Sequence, residues 1–220
     1  MQLAHNTQDL YTANSESDDF WSQFQAKILE HANDLQSLEH FAKSAIPALH
    51  QYLSSQREYQ SMLAKIQHDP IESYRLSFPL FENDIIRVNL NAMEPERGLP
   101  LHDHPDSAGL TYIIRGQANI IQCDASTQKH ASNPQSSLSV TENKTFTTGE
   151  ISCFTKDKHN IHAINAIAGR CVMLVVHTNT AMTEEQSFYF SANKDTHIGL
   201  QILTQRTSAK TLKNFSKNKF

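Results

Sequence analysis

The chain has 220 residues, a mass of 24.9 kDa and a formal net charge of −4, with a pI near 6.3. A slightly acidic chain lacks the basic excess that binds a phosphate backbone, so we expect no nucleic-acid partner. The N-terminal segment lacks the basic and apolar regions of a signal peptide, and no long apolar run predicts a membrane span. We therefore expect a cytoplasmic protein, a monomer or homodimer, with no membrane partner.

The first 68 residues predict a helical segment. Residues 1–17 are polar and aperiodic and are predicted to be disordered. Asp18 and Asp19 are predicted to cap a helix that runs from about Phe20 to Ala32. Two further helical patterns follow, from Leu35 to Leu49 and from Arg57 to about Gln67. Residues 18–68 are thus predicted to form a helical extension.

Short β-type runs separated by turn signals occupy residues 69–205. About ten such runs at this spacing predict an all-β barrel or jelly roll. The polar segment from Ala125 to Lys144 is interpreted as a hairpin loop, and residues 206–220 as a basic tail. The predicted strands are Tyr74–Leu80, Asp84–Ala92, Leu110–Ile114, Ala118–Cys123, Leu138–Val140, Ile151–Phe154, Ile161–Ile167, Cys171–His177, Phe188–Ser191 and Ile198–Leu203.

The cysteines Cys123, Cys153 and Cys171 each lie in an apolar stretch, without C-x-x-C spacing. Our interpretation is that they are buried free thiols in a reducing compartment. A disulfide or a cysteine-rich metal site is the alternative.

Histidines at short spacing mark the candidate site. His102 and His104 stand one residue apart, and residues i and i+2 of a strand point to the same face. Imidazole is the commonest protein ligand for metals such as iron and zinc, so the pair supplies half of a site. His162 opens a later apolar strand, after a turn in which Asn160 is expected to take left-handed geometry. His159 is either a turn residue or an alternative third ligand.

The spacing of Gly98, His102 and His104, followed by a later turn and His162, resembles the cupin superfamily. This resemblance implies a cupin double-stranded β-helix in which His102, His104 and His162 bind one divalent metal. Most cupins carry a glutamate shortly after the second histidine, where this chain has Ser107, Ala108 and Gly109. The chain is therefore similar to the three-histidine branch, and to the cysteine dioxygenases in particular.

Further matches strengthen the likeness to the thiol dioxygenases. The segment His102-Asp-His-Pro-Asp-Ser resembles a motif of that family, and Tyr74-Arg75 resembles its Tyr-Arg element. His177 falls at the position of the family's second-sphere histidine. The resemblance implies a non-haem Fe(II) enzyme that uses O2 to oxidise a small thiol, such as cysteine or a mercapto-carboxylate, to its sulfinate. Ni, Mn and Zn remain open as the metal.

The resemblance also suggests roles for residues around the metal. Arg75 would bind a substrate carboxylate through a bidentate, charge-assisted pair, and Arg87 is the competing candidate. His177 would act as a proton partner. Three neutral imidazoles leave the charge of a divalent ion uncompensated, which favours binding of an anionic thiolate.

Two departures from the family bear on the substrate. The Ser-x-His-x-Tyr triad of the family reads Val175-Val176-His177-Thr178-Asn179 here, so the two hydroxyls are missing. The cysteine that some members crosslink to the tyrosine falls at Gly109. A dioxygenase for a non-thiol chelate such as a β-diketone therefore stays open, as does a non-catalytic cupin that binds a metal or another ligand.

Overall fold

Three helices lead the described part of the chain. The computed structural model describes residues 15–71, 75–95, 97–104, 106–125, 135–178, 188–198 and 201–208. Helix α1 spans Ser15–His31, α2 spans Leu35–Ser54 and α3 spans Arg57–His68. No helix in these ranges combines the length and the apolar character needed to cross a membrane.

The start of α1 corrects two expectations. Asp18 and Asp19 lie inside the helix and do not cap it, and residues 15–17 are helical where disorder was predicted. The disorder predicted for residues 1–14 falls outside the described residues. The predicted basic tail, residues 206–220, also lies outside the described residues from residue 209 onward. Its first three residues belong to the last strand, which ends at Ser208. The predicted division at residues 18–68 and 69–205 stays a prediction.

Helix α2 packs on the β domain through one apolar face, whose buried residues share a core with residues of β2 and β9. Its N-terminus is capped by Asp34, whose carboxylate accepts the Ser37 backbone N–H at 2.7 Å. Its buried positions recur every three or four residues and form one apolar stripe. These positions are Leu38, Ala42, Ile46, Leu49 and Leu53.

Eleven strands follow in the described residues and confirm the all-β expectation. The strands are β1 Leu76–Glu82, β2 Ile86–Met93, β3 Gly98–Asp103, β4 Gly109–Arg115, β5 Gln117–Ala125, β6 Gln135–Thr147, β7 Ile151–Phe154, β8 Ile161–Ala166, β9 Cys171–Thr178, β10 Phe188–Ile198 and β11 Gln201–Ser208.

Several of these strands differ from the sequence prediction. Strand β10 extends seven residues past the predicted end at Ser191, and the strand predicted for Ile198–Leu203 covers the end of β10 and the start of β11. Strand β3, Gly98–Asp103, is not among the predicted strands, although the shared face of His102 and His104 had assumed an extended backbone there. Strand β6 begins at Gln135, so the hairpin loop predicted up to Lys144 is wrong over its second half. Residues 126–134 lie outside the described residues. Pairing with β5 keeps this polar segment of β6 extended, although its hydropathy alone had predicted a loop.

The strands form two antiparallel sheets. One has the order β1-β2-β9-β4-β7. The other has the order β10-β11-β6-β5-β8-β3 and closes where Tyr189 of β10 pairs with His102 of β3. The first histidine of the candidate site therefore lies where the second sheet closes.

Alternation along β9 separates two environments. Val172, Leu174 and Val176 belong to the core that contains the helices. Met173 and Val175 belong to a second core with residues of the other sheet, such as Ile120 and Ile164. Successive side chains of a strand point to opposite faces, so the sheet packs on the helices with one face and on the other sheet with its second.

All three cysteines are free and buried, as interpreted from the sequence. Burial raises the pKa of each thiol, Cys123, Cys153 and Cys171, to about 12. Thiolate is the reactive form of cysteine, so these side chains act as apolar packing groups.

Candidate metal centre

The three histidines selected from the sequence lie together. His102 is near the end of β3, His104 directly follows that strand, and His162 is the second residue of β8. His102 and His162 are paired in the β3–β8 ladder. One ring nitrogen from each of the three residues lies within 4.8 Å of the others, and the Nε2 atoms of His104 and His162 are 3.2 Å apart. Their role as ligands stays a prediction.

A backbone carbonyl orients the first of these rings. His102 Nδ1 lies 2.8 Å from the Pro100 carbonyl oxygen. A carbonyl can only accept, so Nδ1 carries a hydrogen, and in the neutral ring Nε2 then keeps its lone pair. Metal-binding histidines are commonly oriented by such a bond from their second nitrogen. His102 therefore presents Nε2 in the form that binds a metal.

One pair of these ring nitrogens has the spacing expected for two ligands of a single divalent ion. Two nitrogens that each lie about 2.0–2.1 Å from one ion at right angles are about 3 Å apart, close to the His104–His162 separation. Burial, followed by the neighbouring histidines, holds the pKa of His104 and of His162 well below the ordinary value. Both rings are thus neutral at pH 7, as metal binding requires. In the described part of the chain this is the one such cluster of histidine, cysteine and carboxylate groups.

His159 lies in the turn before β8 and is not part of the cluster. Its φ of 57° is left-handed, so His159 takes the conformation that we had predicted for Asn160. Its backbone N–H donates to Asp124 Oδ1 at 2.6 Å. Of the two histidines that could have been the third ligand, only His162 joins His102 and His104.

Phe154 forms an aromatic wall of the site that the sequence analysis missed. It is the last residue of β7, is 1% exposed, and stacks on His104 with ring centroids 4.6 Å apart. Its ring also meets His162 at 5.3 Å and His177 at 5.6 Å, edge to face. A phenylalanine that ends a short apolar strand carries no sequence signal for this contact, because its three partners lie on other segments.

Gly109 explains how Phe154 comes so close. The two residues are paired in the β4–β7 ladder, and a Cβ atom at position 109 would lie 2.7 Å from Phe154 Cζ. From the resemblance to the cysteine dioxygenases, we predicted that their crosslinking cysteine falls at this position. Here the Phe154 ring fills the space that a side chain at position 109 would need.

Gly109→Ala is therefore expected to destabilise the protein by about 1–3 kcal/mol, the usual cost of overpacking. The added Cβ would lie 2.4 Å from the Val176 carbonyl oxygen and against the Phe154 ring. Denaturant unfolding measures the loss, and adding Phe154→Leu should recover part of it if the ring contact contributes. A Gly109→Ala variant as stable as the wild type would contradict the packing described here.

His177 lies beside the three histidines. Its ring centroid is 4.6 Å from that of His104. Its ladder partners are Arg87 on β2 and Gly109 on β4. Burial lowers the pKa of His177 to about 3, with further contributions from His102 and the two arginines, Arg75 and Arg87. The ring is thus neutral at pH 7 and offers one hydrogen-bond donor and one acceptor.

The two candidate arginines differ in their surroundings. Arg75 is half-buried just before β1, and its positive charge helps to lower the pKa of both His104 and His177. Arg87 forms an ion pair with Glu82, donating from Nε to Oε1 at 3.0 Å. Tyr74, the other half of the Tyr-Arg element, lies outside the described residues. The electrostatic influence on two site histidines favours Arg75 over Arg87.

Gln122 is a second residue at the site that the sequence analysis missed, and it is polar. It is 1% exposed, and its ladder partner on β8 is His162. Its side-chain amide donates to the Cys153 carbonyl oxygen at 2.8 Å, next to Phe154. Gln122 therefore ties the strand that pairs with His162 to the strand that carries Phe154.

Comparison with known proteins places this geometry in context. The PCO_ADO family profile matches residues 40–217. The chain is similar to a cupin superfamily protein from Desulfitobacterium hafniense, with 19% identity over 50% of this chain and 82% of the other, and a TM-score of 0.37. It is also similar to an uncharacterized protein with a double-stranded beta-helix domain from Klebsiella pneumoniae, with 13% identity over 52% and 80% of the chains and a TM-score of 0.41. No protein of curated function matches the chain significantly.

Proposed function

Because this chain belongs to the PCO_ADO family of cysteine and cysteamine dioxygenases, whose fold is the cupin, we propose that it oxidises a small thiol to its sulfinate. The substrate class is cysteine or a mercapto-carboxylate, and dioxygen is the co-substrate. Both oxygen atoms pass to sulfur, which loses four electrons as dioxygen gains four, and the thiol proton is released. The reaction is thus balanced without an added reductant.

The three-histidine cluster is the observation that carries this proposal. His102, His104 and His162 are buried or half-buried, and the set contains no carboxylate. A divalent iron held there would supply the redox chemistry that lets dioxygen react with a thiolate. Neutral ligands leave the charge of the ion uncompensated, so the site favours an anionic sulfur. The choice of iron over Ni, Mn or Zn is part of the proposal.

The surrounding residues would bind the substrate and handle its proton. Arg75 would form a bidentate pair with a substrate carboxylate, since a guanidinium matches the two carboxylate oxygens. His177, neutral and beside His104, would exchange a hydrogen bond or a proton with the bound substrate. Phe154 covers one face of His104 and so helps to exclude water from the site. A cytoplasmic location and a monomeric or dimeric state also stay predictions.

The test is oxygen uptake by iron-loaded protein with cysteine, 3-mercaptopropionate, cysteamine and a β-diketone as substrates. We expect uptake with a thiol, one sulfinate formed per dioxygen consumed, and no uptake with His102→Ala. Uptake with the diketone alone would favour the non-thiol dioxygenase. Stoichiometric iron binding with no turnover of any compound would favour a non-catalytic cupin.

A further inference from the structure

The side chain of Asn160 joins the two segments that carry the second and third histidines. Its Oδ1 accepts the His104 backbone N–H at 3.1 Å, and its Nδ2 donates to the His104 carbonyl oxygen at 2.7 Å. Nδ2 also lies 3.3 Å from the Thr155 carbonyl oxygen, which accepts from it. One acceptor and two donor contacts leave a single orientation of the amide that satisfies all three.

These contacts continue a β ladder with a side chain. His102 pairs with His162, and Asp103 pairs with Ile161, so His104 and Asn160 would be the next antiparallel pair. The Asn160 amide supplies the N–H and C=O groups that a backbone peptide would offer at that step. The backbone meanwhile turns away through the left-handed His159. The ladder thus reaches His104 although strand β8 begins only at Ile161.

The loop that carries Asn160 is itself well bonded. The Thr155 N–H donates to the Lys158 carbonyl oxygen at 2.8 Å, and the Lys158 N–H donates to Thr155 Oγ1 at 3.2 Å. The His159 N–H donates to Asp124 on β5 at 2.6 Å. The backbone that precedes Asn160 is therefore held in place, so the Asn160 amide can position His104.

We propose that Asn160 is a positioning residue that sets the separation of the His104 and His162 ring nitrogens before a metal binds. The inference rests on the metal centre of the proposed function and assigns a role to a residue that does not contact the ion. His104 follows the last paired residue of β3, and its carbonyl also accepts the Ser107 N–H at 3.1 Å. Without Asn160, the His104 N–H loses its acceptor and the ligand loses its link to β8.

The experiment titrates metal-free protein with Co(II), whose visible absorption reports the coordination geometry. Asn160→Ala is expected to weaken Co(II) binding about 10- to 100-fold, the usual cost of losing a group that orients a ligand. It should also alter the Co(II) spectrum at saturation, which a general loss of stability would not do. Circular dichroism of the metal-free variants monitors their folding.

Asn160→Asp distinguishes an effect of positioning from an effect of charge. Aspartate has nearly the same shape as asparagine, so this variant replaces Asn160→Ala as the test if the alanine variant does not fold. Its carboxylate keeps the acceptor but faces the carbonyl oxygens of His104 and Thr155 without a proton to donate. Positioning predicts weaker Co(II) binding than wild type, whereas an added negative charge near a cation predicts tighter binding. Tighter or unchanged binding would overturn the inference.

Two further variants complete the design. Thr155→Val removes the hydroxyl that stabilises the same loop but leaves the carbonyl that Asn160 binds, so it should bind Co(II) like the wild type. An equal loss in Thr155→Val and Asn160→Ala would assign the effect to the loop and refute the specific role. His104→Ala tests the centre itself: if it binds Co(II) as the wild type does, the proposed function fails. If His104→Ala does not bind Co(II) but the Asn160 variants bind it as the wild type does, only the positioning role of Asn160 fails.

Discussion

Replacing His162 with alanine is expected to abolish stoichiometric metal binding and, with it, thiol-dependent oxygen uptake. His162 is 3% exposed, and its Nε2 lies 3.2 Å from that of His104. Its loss leaves two imidazoles in the cluster, which contains no carboxylate. We expect the affinity for a divalent ion to fall by more than about 100-fold, because even groups that only orient a ligand are typically worth 10- to 100-fold. Elemental analysis of protein purified without a histidine tag measures the effect.

His159→Ala is the matched control for this experiment. His159 lies three residues before His162 but takes the left-handed turn position and is not in the cluster. Its replacement should leave the metal content unchanged. Equal metal content in His162→Ala and wild type would show that the centre does not exist. Loss of metal in His159→Ala alone would make His159 the third ligand.

Arg75→Lys is expected to raise the KM for carboxylate-bearing thiols by about 10- to 150-fold, because losing a hydrogen-bond partner of a charged group costs about 1.5–3 kcal/mol. Lysine keeps the positive charge but cannot reproduce the bidentate pair. The metal content should not change, since Arg75 is not part of the histidine cluster. Steady-state oxygen uptake with cysteine and 3-mercaptopropionate measures the effect.

Cysteamine and Arg87 provide the controls. Cysteamine has no carboxylate, so its KM should be the same in wild type and Arg75→Lys. Arg87→Lys should have little effect on either kind of substrate, because Arg87 is paired with Glu82. The reverse pattern, with a loss in Arg87→Lys only, would assign the carboxylate to Arg87. No loss in either variant would indicate a substrate without a carboxylate.

Local patterns of the sequence, together with the family resemblance, predicted the cluster of histidines. His102 and His104 share a face because of the two-residue period of a strand, and His162 was distinguished from His159 by its place at the start of an apolar run. The β-rich texture after residue 69 predicted the barrel, which the strands confirm. Each of these inferences depends on residues close together in the chain or on a spacing that the family shares.

Long-range contacts could not be predicted in this way. Phe154 and Gln122 reach the site through ladders to β4 and β8, and no local pattern distinguishes them from ordinary core residues. Asn160 had been assigned the left-handed turn, although its side chain bonds to the backbone of His104, 56 residues earlier. Polar β6 is extended because it pairs with β5 and β11, which hydropathy does not record.

Because successive residues of β9 face opposite sides of the sheet, this strand tolerates substitutions better than insertions or deletions. Val176 packs with the helices while His177, the next residue, lies against His104. One inserted or deleted residue before His177 would exchange the two faces, sending the imidazole toward the helices and a valine toward the metal centre. Substitutions that conserve size can accumulate along β9, but changes of length are confined to its flanks. The turn that precedes the strand, with Gly169 at a φ of 65°, can absorb them.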